Sequence, residues 1–340
     1  MILPPKYSEA CTSLSVALNT IPESVMDLAK QHNPWFDQDN IAAAASAWSE
    51  QLRLENQSKW LEKYTVSDNP SKVAIIMAGN IPFVGLHDVL SVIASGHHAL
   101  CKLSSSDTVL MNYCIDSLNS VLENSIEIID RVKEADAVIA SGNNNSARVF
   151  ETYFGKRPNL IRRNRTSVAV LSGLETKEQL SRLGSDIFSY FGLGCRNISK
   201  VYVPLGYDFK NFFEAIFSFG NVINHHKYAN NYDYNKAIYL MGQEKFLDNN
   251  FLMLRRDEKS LNSPLSVLFY DYYITNGELK QNLLSLDQEI QCVASEIPLD
   301  LPRQVGLGET QKPRLWDYPD GIDTMQFLNT LSFTKMNHTQ

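Results

Sequence analysis

No stretch of the sequence stays apolar for the ~20 residues that a helix needs to cross a bilayer; runs such as Val73–Ala78 fall far short. The opening residues Met1 to Tyr7 lack the charged start, apolar stretch and cleavage site of a secretory leader, so a cytoplasmic protein is expected. Cysteine is scarce: Cys11, Cys101, Cys114, Cys195 and Cys292 are scattered through 340 residues without a Cys-x-x-Cys. An odd, dispersed set speaks against a disulfide framework and a structural zinc site, and suits a reducing compartment. Basic charge is also short. The net charge of −7 is the wrong sign for a dedicated nucleic-acid binder, and the one basic stretch, Lys156 to Arg165, suits a small polyanion as well. The pairs His97-His98 and His225-His226 have no cysteine or acid at metal-ligand spacing, so no metal is expected. The Gly-x-Gly-x-x-Gly dinucleotide fingerprint is missing.

What is present is an ordinary globular composition, 44% hydrophobic and 20% charged, in a length that suits two domains. Residues 1–65 read as helical, because Trp48, Leu52, Trp60, Leu61 and Tyr64 recur at near-helical spacing after the Ala-rich Ala42–Trp48. Strand and helix then alternate. Short apolar runs at Val73–Met77, Ala99–Leu103, Ala137–Ala140, Ser167–Leu171 and Lys200–Val203 predict buried parallel strands, with a weaker one at Ile126–Ile129. Helices are expected over Pro82–Ser95, Asp107–Leu122, from Ser146 through Tyr153, Thr176–Phe191 and Phe209–Phe219. Thr176 with Gln179 makes a capping box. Beyond these, Tyr228–Asn235 reads as Asn/Tyr-rich turns, followed by short strands at Ala237–Met241 and Ser266–Tyr270. The alternation predicts an α/β fold with a doubly wound, mostly parallel sheet.

Few segments carry chemistry. Gly192-Leu-Gly194-Cys195-Arg196-Asn197 sets a cysteine on a turn between a long helix and a strand, where backbone approaches a ligand closely. Backbone N–H groups there suit an oxyanion and Arg196 suits a thiolate. Equally, Cys195 is a small packing residue beside a tight turn, and spacing alone does not choose. In a doubly wound sheet ligands gather at the carboxyl ends of strands, and three segments stand there. Asn80, in Ala78-Gly-Asn-Ile-Pro82, suits an oxyanion or merely caps a helix. Lys102 with Ser104, Ser105 and Ser106 suits a ribose or phosphate, or is a solvated strand end. Ser141-Gly142 leads through three asparagines into a helix, as a pyrophosphate site does. His87 and Asp88, one helical step apart, do not face each other.

Taken together the segments resemble the aldehyde-dehydrogenase superfamily, and within it the acyl-CoA reductase family of the LuxC type. The resemblance rests on Met77–Asp88, Tyr190–Ser199, Lys227–Lys236 and Thr310–Gly321, and spans about residues 35–331. It implies an aldehyde-dehydrogenase-like α/β fold: an N-terminal helical segment (1–65) packed on a dinucleotide-binding domain (66–183), a catalytic domain (184–310), and a C-terminal segment (311–340) returning to the cofactor domain. Cys195 would accept the acyl group, and Asn80 would join the Cys195 backbone N–H as oxyanion donor. Lys102, with Ser104 and Ser105, would meet the cofactor ribose. Ser141 and Gly142 would face the pyrophosphate, and the loop carrying Gly308, Thr310 and Gln311 would close over the site. The implied reaction is reduction of an acyl-CoA thioester through an acyl-cysteine. NADPH is preferred over NADH because Ser105 stands where NAD-preferring relatives often keep an acid, although Asp107 is near. Coenzyme A would be the leaving group. Two departures stand out: Leu103 replaces the proline of the family's Lys-Pro-Ser, and Leu160–Thr166 lacks the general-base glutamate of oxidative relatives. An acid from elsewhere, such as Glu309 or Asp88, is the alternative base. Reduction of an acyl phosphate, or a degenerate non-enzymatic role, remains the rival reading, and homo-oligomerisation is left open.

Overall fold

A computed structural model describes residues 5–123 and 125–336; the outer ends of the expected terminal segments, residues 1–4 and 337–340, lie outside the described residues. The chain divides into two compact units, one formed by Met1–Asn164 with Arg314–Gln340 and the other by Arg165–Pro313.

The first unit opens with four helices, α1 (Pro5–Asn19), α2 (Glu23–His32), α3 (Gln38–Gln51) and α4 (Leu54–Leu61). The Asp37 carboxylate accepts from the Asn40 N–H at 2.8 Å and so caps α3. There follow β1 (Lys72–Ile76), α5 (Leu86–Ala94), β2 (His98–Lys102), α6 (Thr108–Leu122), β3 (Ile126–Ile128), β4 (Ala137–Ser141), α7 (Asn144–Phe154) and β5 (Asn159–Arg162). The five strands pair in parallel in the order β3-β2-β1-β4-β5. Helices cover both faces, which is why β1 and β4 are apolar without alternation. The expected helix over Pro82–Ser95 begins only at Leu86, because Phe83 takes a left-handed φ of +59°. Every residue of α5 is then buried, with the C-terminal helix (Thr324–Met336) packed against it. Trp60 Nε1 donates to the Tyr318 hydroxyl at 2.7 Å, which donates to the Tyr64 hydroxyl at 2.9 Å, which donates to Asp323 at 2.6 Å. This chain of bonds fastens the returning segment to α4 and the turn after it.

The second unit comprises β6 (Thr166–Val170), α8 (Lys177–Phe188), β7 (Ile198–Pro204), α9 (Lys210–Ala215), α10 (His226–Met241), β8 (Phe246–Asp248), β9 (Met253–Arg256), β10 (Val267–Tyr273), α11 (Asn276–Ser285), β11 (Ile290–Ser295) and β12 (Gln304–Val305). Its sheet runs β12-β11-β6-β7-β10-β9-β8, parallel except where β8 meets β9. Alternate residues feed two cores. Ala169, Val201 and Val203 pack with Leu183 and Ile187 of α8 on one face, and Val168, Val170 and Tyr202 pack with Leu279 and Leu283 of α11 on the other.

Several expectations shift. The units divide at Asn164/Arg165 rather than at 183/184, because β6 hydrogen-bonds to β11 and β7, both in the second unit. The helix expected over Thr176–Phe191 ends at Phe188, where the chain turns left-handed, and Phe209–Phe219 splits into α9 and a 3-10 turn. Tyr228–Met241, read as turns and a strand, is helix α10. Cys292 lies within the buried strand β11.

One buried ion pair ties the first unit's strand ends together. The Arg162 guanidinium, at the end of β5, grips Asp88 of α5 through two bonds of 2.5 and 2.8 Å and reaches Thr324 Oγ1 at 2.8 Å and Ser141 Oγ at 3.3 Å. Both side chains are nearly inaccessible, at 5% and 7% exposure. Removing one partner of such a pair leaves a buried charge uncompensated. Asp88→Asn is therefore expected to lower unfolding stability by about 3–5 kcal/mol, whereas joint Asp88→Leu, Arg162→Met costs far less. Urea unfolding of the two variants checks this; equal losses would contradict it.

Candidate active site

In the second unit the turn from α8 to β7 carries Cys195. Tyr190 (φ 52°, ψ 29°), Phe191 (φ 56°, ψ 22°) and Gly192 (φ 80°) are left-handed in succession, a conformation that costs L-residues roughly 1–2 kcal/mol each. Asn197 holds the turn. Its Nδ2 donates to the carbonyls of Asp186 (3.0 Å) and Ser189 (2.8 Å), and its Oδ1 accepts from the Gly194 N–H at 2.8 Å. The Cys195 carbonyl accepts from Ser167 Oγ at 2.9 Å, and the same hydroxyl lies 3.1 Å from Cys292 Sγ. With the backbone pinned on both sides, Cys195 is exposed and the other four thiols are buried. Burial pushes the Cys11 thiol up to about 12 and raises those of Cys101, Cys114 and Cys292. The Arg196 charge, expected to act on Cys195, also acts on Cys292, where it partly opposes that rise.

The loop expected to close over the site is anchored to the same helix end. Asp186 Oδ2 accepts from the Gly308 N–H at 2.6 Å, and Oδ1 accepts from the Thr310 N–H at 3.1 Å and Thr310 Oγ1 at 2.7 Å. Thr310 is wholly buried, and Gln311 Nε2 donates to its hydroxyl at 3.3 Å. Burial raises the Asp186 pKa, with the bonds from Gly308 and Thr310 opposing. Gly308 sits at φ +87°, and a Cβ there would come within 2.8 Å of Arg182, so a larger residue does not fit.

In the first unit Asn80, Lys102, Ser104, Ser105, Ser141 and Gly142 all fall at the carboxyl ends of β1, β2 and β4, the edge where a doubly wound sheet binds ligands. Asn80, Lys102 and Ser105 are exposed. Lys102 Nζ donates to the Asp130 carbonyl at 3.1 Å, and Gly79 is packed so close to Ser104 that a Cβ would lie 2.5 Å from its hydroxyl. Asn143, directly after Gly142, caps α7 by accepting from the Ser146 N–H at 2.8 Å. Asp107 turns inward instead of toward the strand edge. Its Oδ2 accepts from the Phe83 N–H at 2.9 Å, and burial drives its pKa well above the usual carboxylate range.

Sequence reasoning misses Asp186, Ser167 and Arg162 as site residues, since their partners lie far along the chain. The two acids proposed as alternative bases are engaged: Asp88 with Arg162, and the exposed Glu309 with Lys312 at 2.9 Å. His97 is bonded through both ring nitrogens, to the Ser71 N–H (3.1 Å) and the Leu328 carbonyl (3.1 Å). Among the described residues no group of three or more histidine, cysteine, aspartate or glutamate side chains is arranged to hold a metal ion, and no helix is long and apolar enough to cross a membrane.

Limited alkylation at neutral pH, read by peptide mass, is expected to label Cys195 ahead of the four buried thiols. Asn197→Ala frees the turn, takes the donor from the Asp186 and Ser189 carbonyls and should lower unfolding stability by about 1–3 kcal/mol; an unchanged urea midpoint would rule out the positioning role. For Asp107 the native state binds the proton more tightly than the unfolded chain, so its contribution to stability falls as pH rises from the ordinary aspartate range through the raised native value. Asp107→Asn keeps the acceptor for Phe83 and should flatten the dependence of Tm on pH over that window.

No family model matches the sequence, and no curated protein does. Solved structures do. Aldehyde dehydrogenase 21 from Physcomitrella patens, in complex with the reaction product succinate, is similar at 11% identity and a TM-score of 0.70, over 96% of this chain and 84% of its own. An indole-3-acetaldehyde dehydrogenase complexed with NAD+ is similar at 13% identity and a TM-score of 0.63, over 86% of this chain and 72% of its own. An aldehyde dehydrogenase from Bacillus cereus, in complex with NAD+, gives 11% and 0.59, over 85% and 71%. At these identities the likeness is one of fold, and the fold of this chain is aldehyde-dehydrogenase-like: mixed α/β, with one parallel and one mixed sheet.

Proposed function

We propose that this chain reduces an acyl-CoA thioester to an aldehyde with a reduced nicotinamide cofactor, Cys195 carrying the acyl group between the two half-reactions. The carboxyl edge of the first sheet fits such a cofactor. The start of α7, just past β4, suits a pyrophosphate, with Ser141 and Gly142 at its approach. Exposed Lys102 and Ser105, beside Ser104, suit the adenosine ribose. Two of the similar structures hold NAD+, which supports a nicotinamide cofactor. Ser105 carries no charge to repel a 2′-phosphate and Asp107 is turned away, which supports NADPH over NADH. When bound, the cofactor supplies the hydride.

The chain's own residues do the rest. Cys195, as thiolate, adds to the thioester carbonyl; the bond from that carbon to the sulfur of coenzyme A breaks, and coenzyme A leaves as a thiol with a proton from solvent. Backbone N–H groups of the Cys195 turn donate to the oxygen while it is negative. The Asp186 clamp fixes the loop of Gly308, Thr310 and Gln311 on the α8 side.

The observation that carries the reductive direction is Arg162. Oxidative aldehyde dehydrogenases keep a glutamate base after a cofactor-domain strand, whereas the stretch Leu160–Thr166 here holds no acid, and its Arg162 is paired with Asp88. A positioned base speeds proton transfer typically ~10²–10⁴-fold, so without one the acyl-cysteine outlasts attack by water. NADPH consumption over a panel of acyl-CoA and acyl phosphate substrates tests this. Turnover is expected with acyl-CoA and none in Cys195→Ala, and an aldehyde with NADP+ but no coenzyme A should yield free acid at least ~10²-fold more slowly than aldehyde is made. Acid formed as fast as aldehyde, or turnover confined to acyl phosphates, would overturn the assignment. Tighter binding of NADH than NADPH would overturn the cofactor preference.

A further inference from the structure

Strand β6 carries a hydroxyl where an aliphatic side chain would pack better. Ser167 is wholly inaccessible, and a buried hydroxyl needs hydrogen-bond partners. Both neighbouring strands lose register at its level. On β7, Ser167 pairs with Ile198 but Val168 pairs with Lys200, so Ser199 is an extra residue. On β11, Ile290 pairs with Thr166 but Val293 pairs with Val168, so Gln291 and Cys292 together oppose Ser167. Bulges re-aim side chains and gather beside functional sites. Between these two, the Ser167 hydroxyl meets the Cys195 carbonyl at 2.9 Å and the Cys292 sulfur at 3.1 Å.

The direction of the bonds follows from the groups. A carbonyl only accepts, so the one hydroxyl proton of Ser167 goes to Cys195. In the other contact the Cys292 thiol must then donate to Ser167 Oγ. By donating, it leaves the hydroxyl only the carbonyl as acceptor. Burial raises the Cys292 pKa, which keeps the thiol proton in place at neutral pH. The Cys195 carbonyl is thereby turned inward, to a wholly buried hydroxyl, while Cys195 itself is exposed. A carbonyl released from that bond is free to approach its own sulfur, where its negative end disfavours the thiolate.

We propose that Ser167 positions Cys195 for nucleophilic attack, and that the Cys292 thiol holds the Ser167 hydroxyl to that task. Ser167 and Cys292 are positioning residues; the attack itself rests on the acyl-transfer role of Cys195 proposed above.

The pH profile of Cys195 alkylation by iodoacetamide, measured on the full chain by peptide mass with circular dichroism to confirm folding, tests this without any substrate. Ser167→Ala should move the profile up by about half a pH unit, slowing alkylation at neutral pH about threefold. Single-turnover acylation by an acyl-CoA should slow about tenfold, with half-saturation unchanged. Cys292→Ala should give a smaller change in the same direction, and Cys292→Ser, which keeps a donor, should restore the wild-type profile. In the Ser167→Ala background Cys292→Ala should add nothing. A wild-type profile in Ser167→Ala overturns the positioning, and additive effects of the two substitutions overturn the part played by Cys292. If Ser167→Ala does not fold, the Cys292 variants decide: equal profiles for Cys292→Ala and Cys292→Ser overturn the proposal. A wild type that is alkylated as expected but takes no acyl group defeats the acyl-CoA reading and leaves the positioning standing.

Discussion

Much of the second unit hangs on one carboxylate. Asp186 stands in the last turn of α8, where a helix presents carbonyls and a negative side chain is least welcome. It is held there by two backbone N–H groups and a buried hydroxyl from the 308–310 loop, while its own carbonyl receives Asn197. The same residue therefore fixes the loop on one side and the cysteine turn on the other. Asn197 then directs its amide to carbonyls that the end of α8 leaves unsatisfied, and to the Gly194 N–H. The backbone cost of three left-handed residues is offset by hydrogen bonds that no helical continuation would have offered.

In the first unit Arg162 plays a comparable organising part, joining the ends of β4 and β5 to α5 and to the C-terminal helix. Burying a guanidinium and a carboxylate is costly on its own, and the bidentate geometry offsets that cost.

What is legible in the sequence is local. The apolar runs of β1, β2, β4, β6 and β7, and the capping box of Thr176 and Gln179, need only neighbours along the chain, and all are present. So is the turn with Cys195, since glycine at 192 supplies the positive φ on which a helix can end. The bonds that make the turn rigid are not legible: Asp186 and Thr310 lie 124 residues apart, and Arg162 and Asp88 lie 74 apart. Helix α10 escapes for a different reason. Period-based reading presumes one wet face, and Ala237–Met241 is apolar whichever face is counted, so the run looks like a strand. Asp107 likewise reads as a neighbour of Ser105 at the strand edge, but in the fold it points inward to an N–H that Phe83 exposes by turning left-handed.

The left-handed run before Cys195 also bears on the order in which the protein acquires its parts. Tyr190 and Phe191 do not adopt that conformation for their own sake; Asn197 holds the turn, and the Asp186 carboxylate beside it binds Gly308 and Thr310, which leave the ribosome only near the end of the second unit. Until then the Asp186 carboxylate lacks the three donors that hold it. The turn that carries the exposed thiol thus gains its last anchoring bonds only once the 308–310 segment has been made.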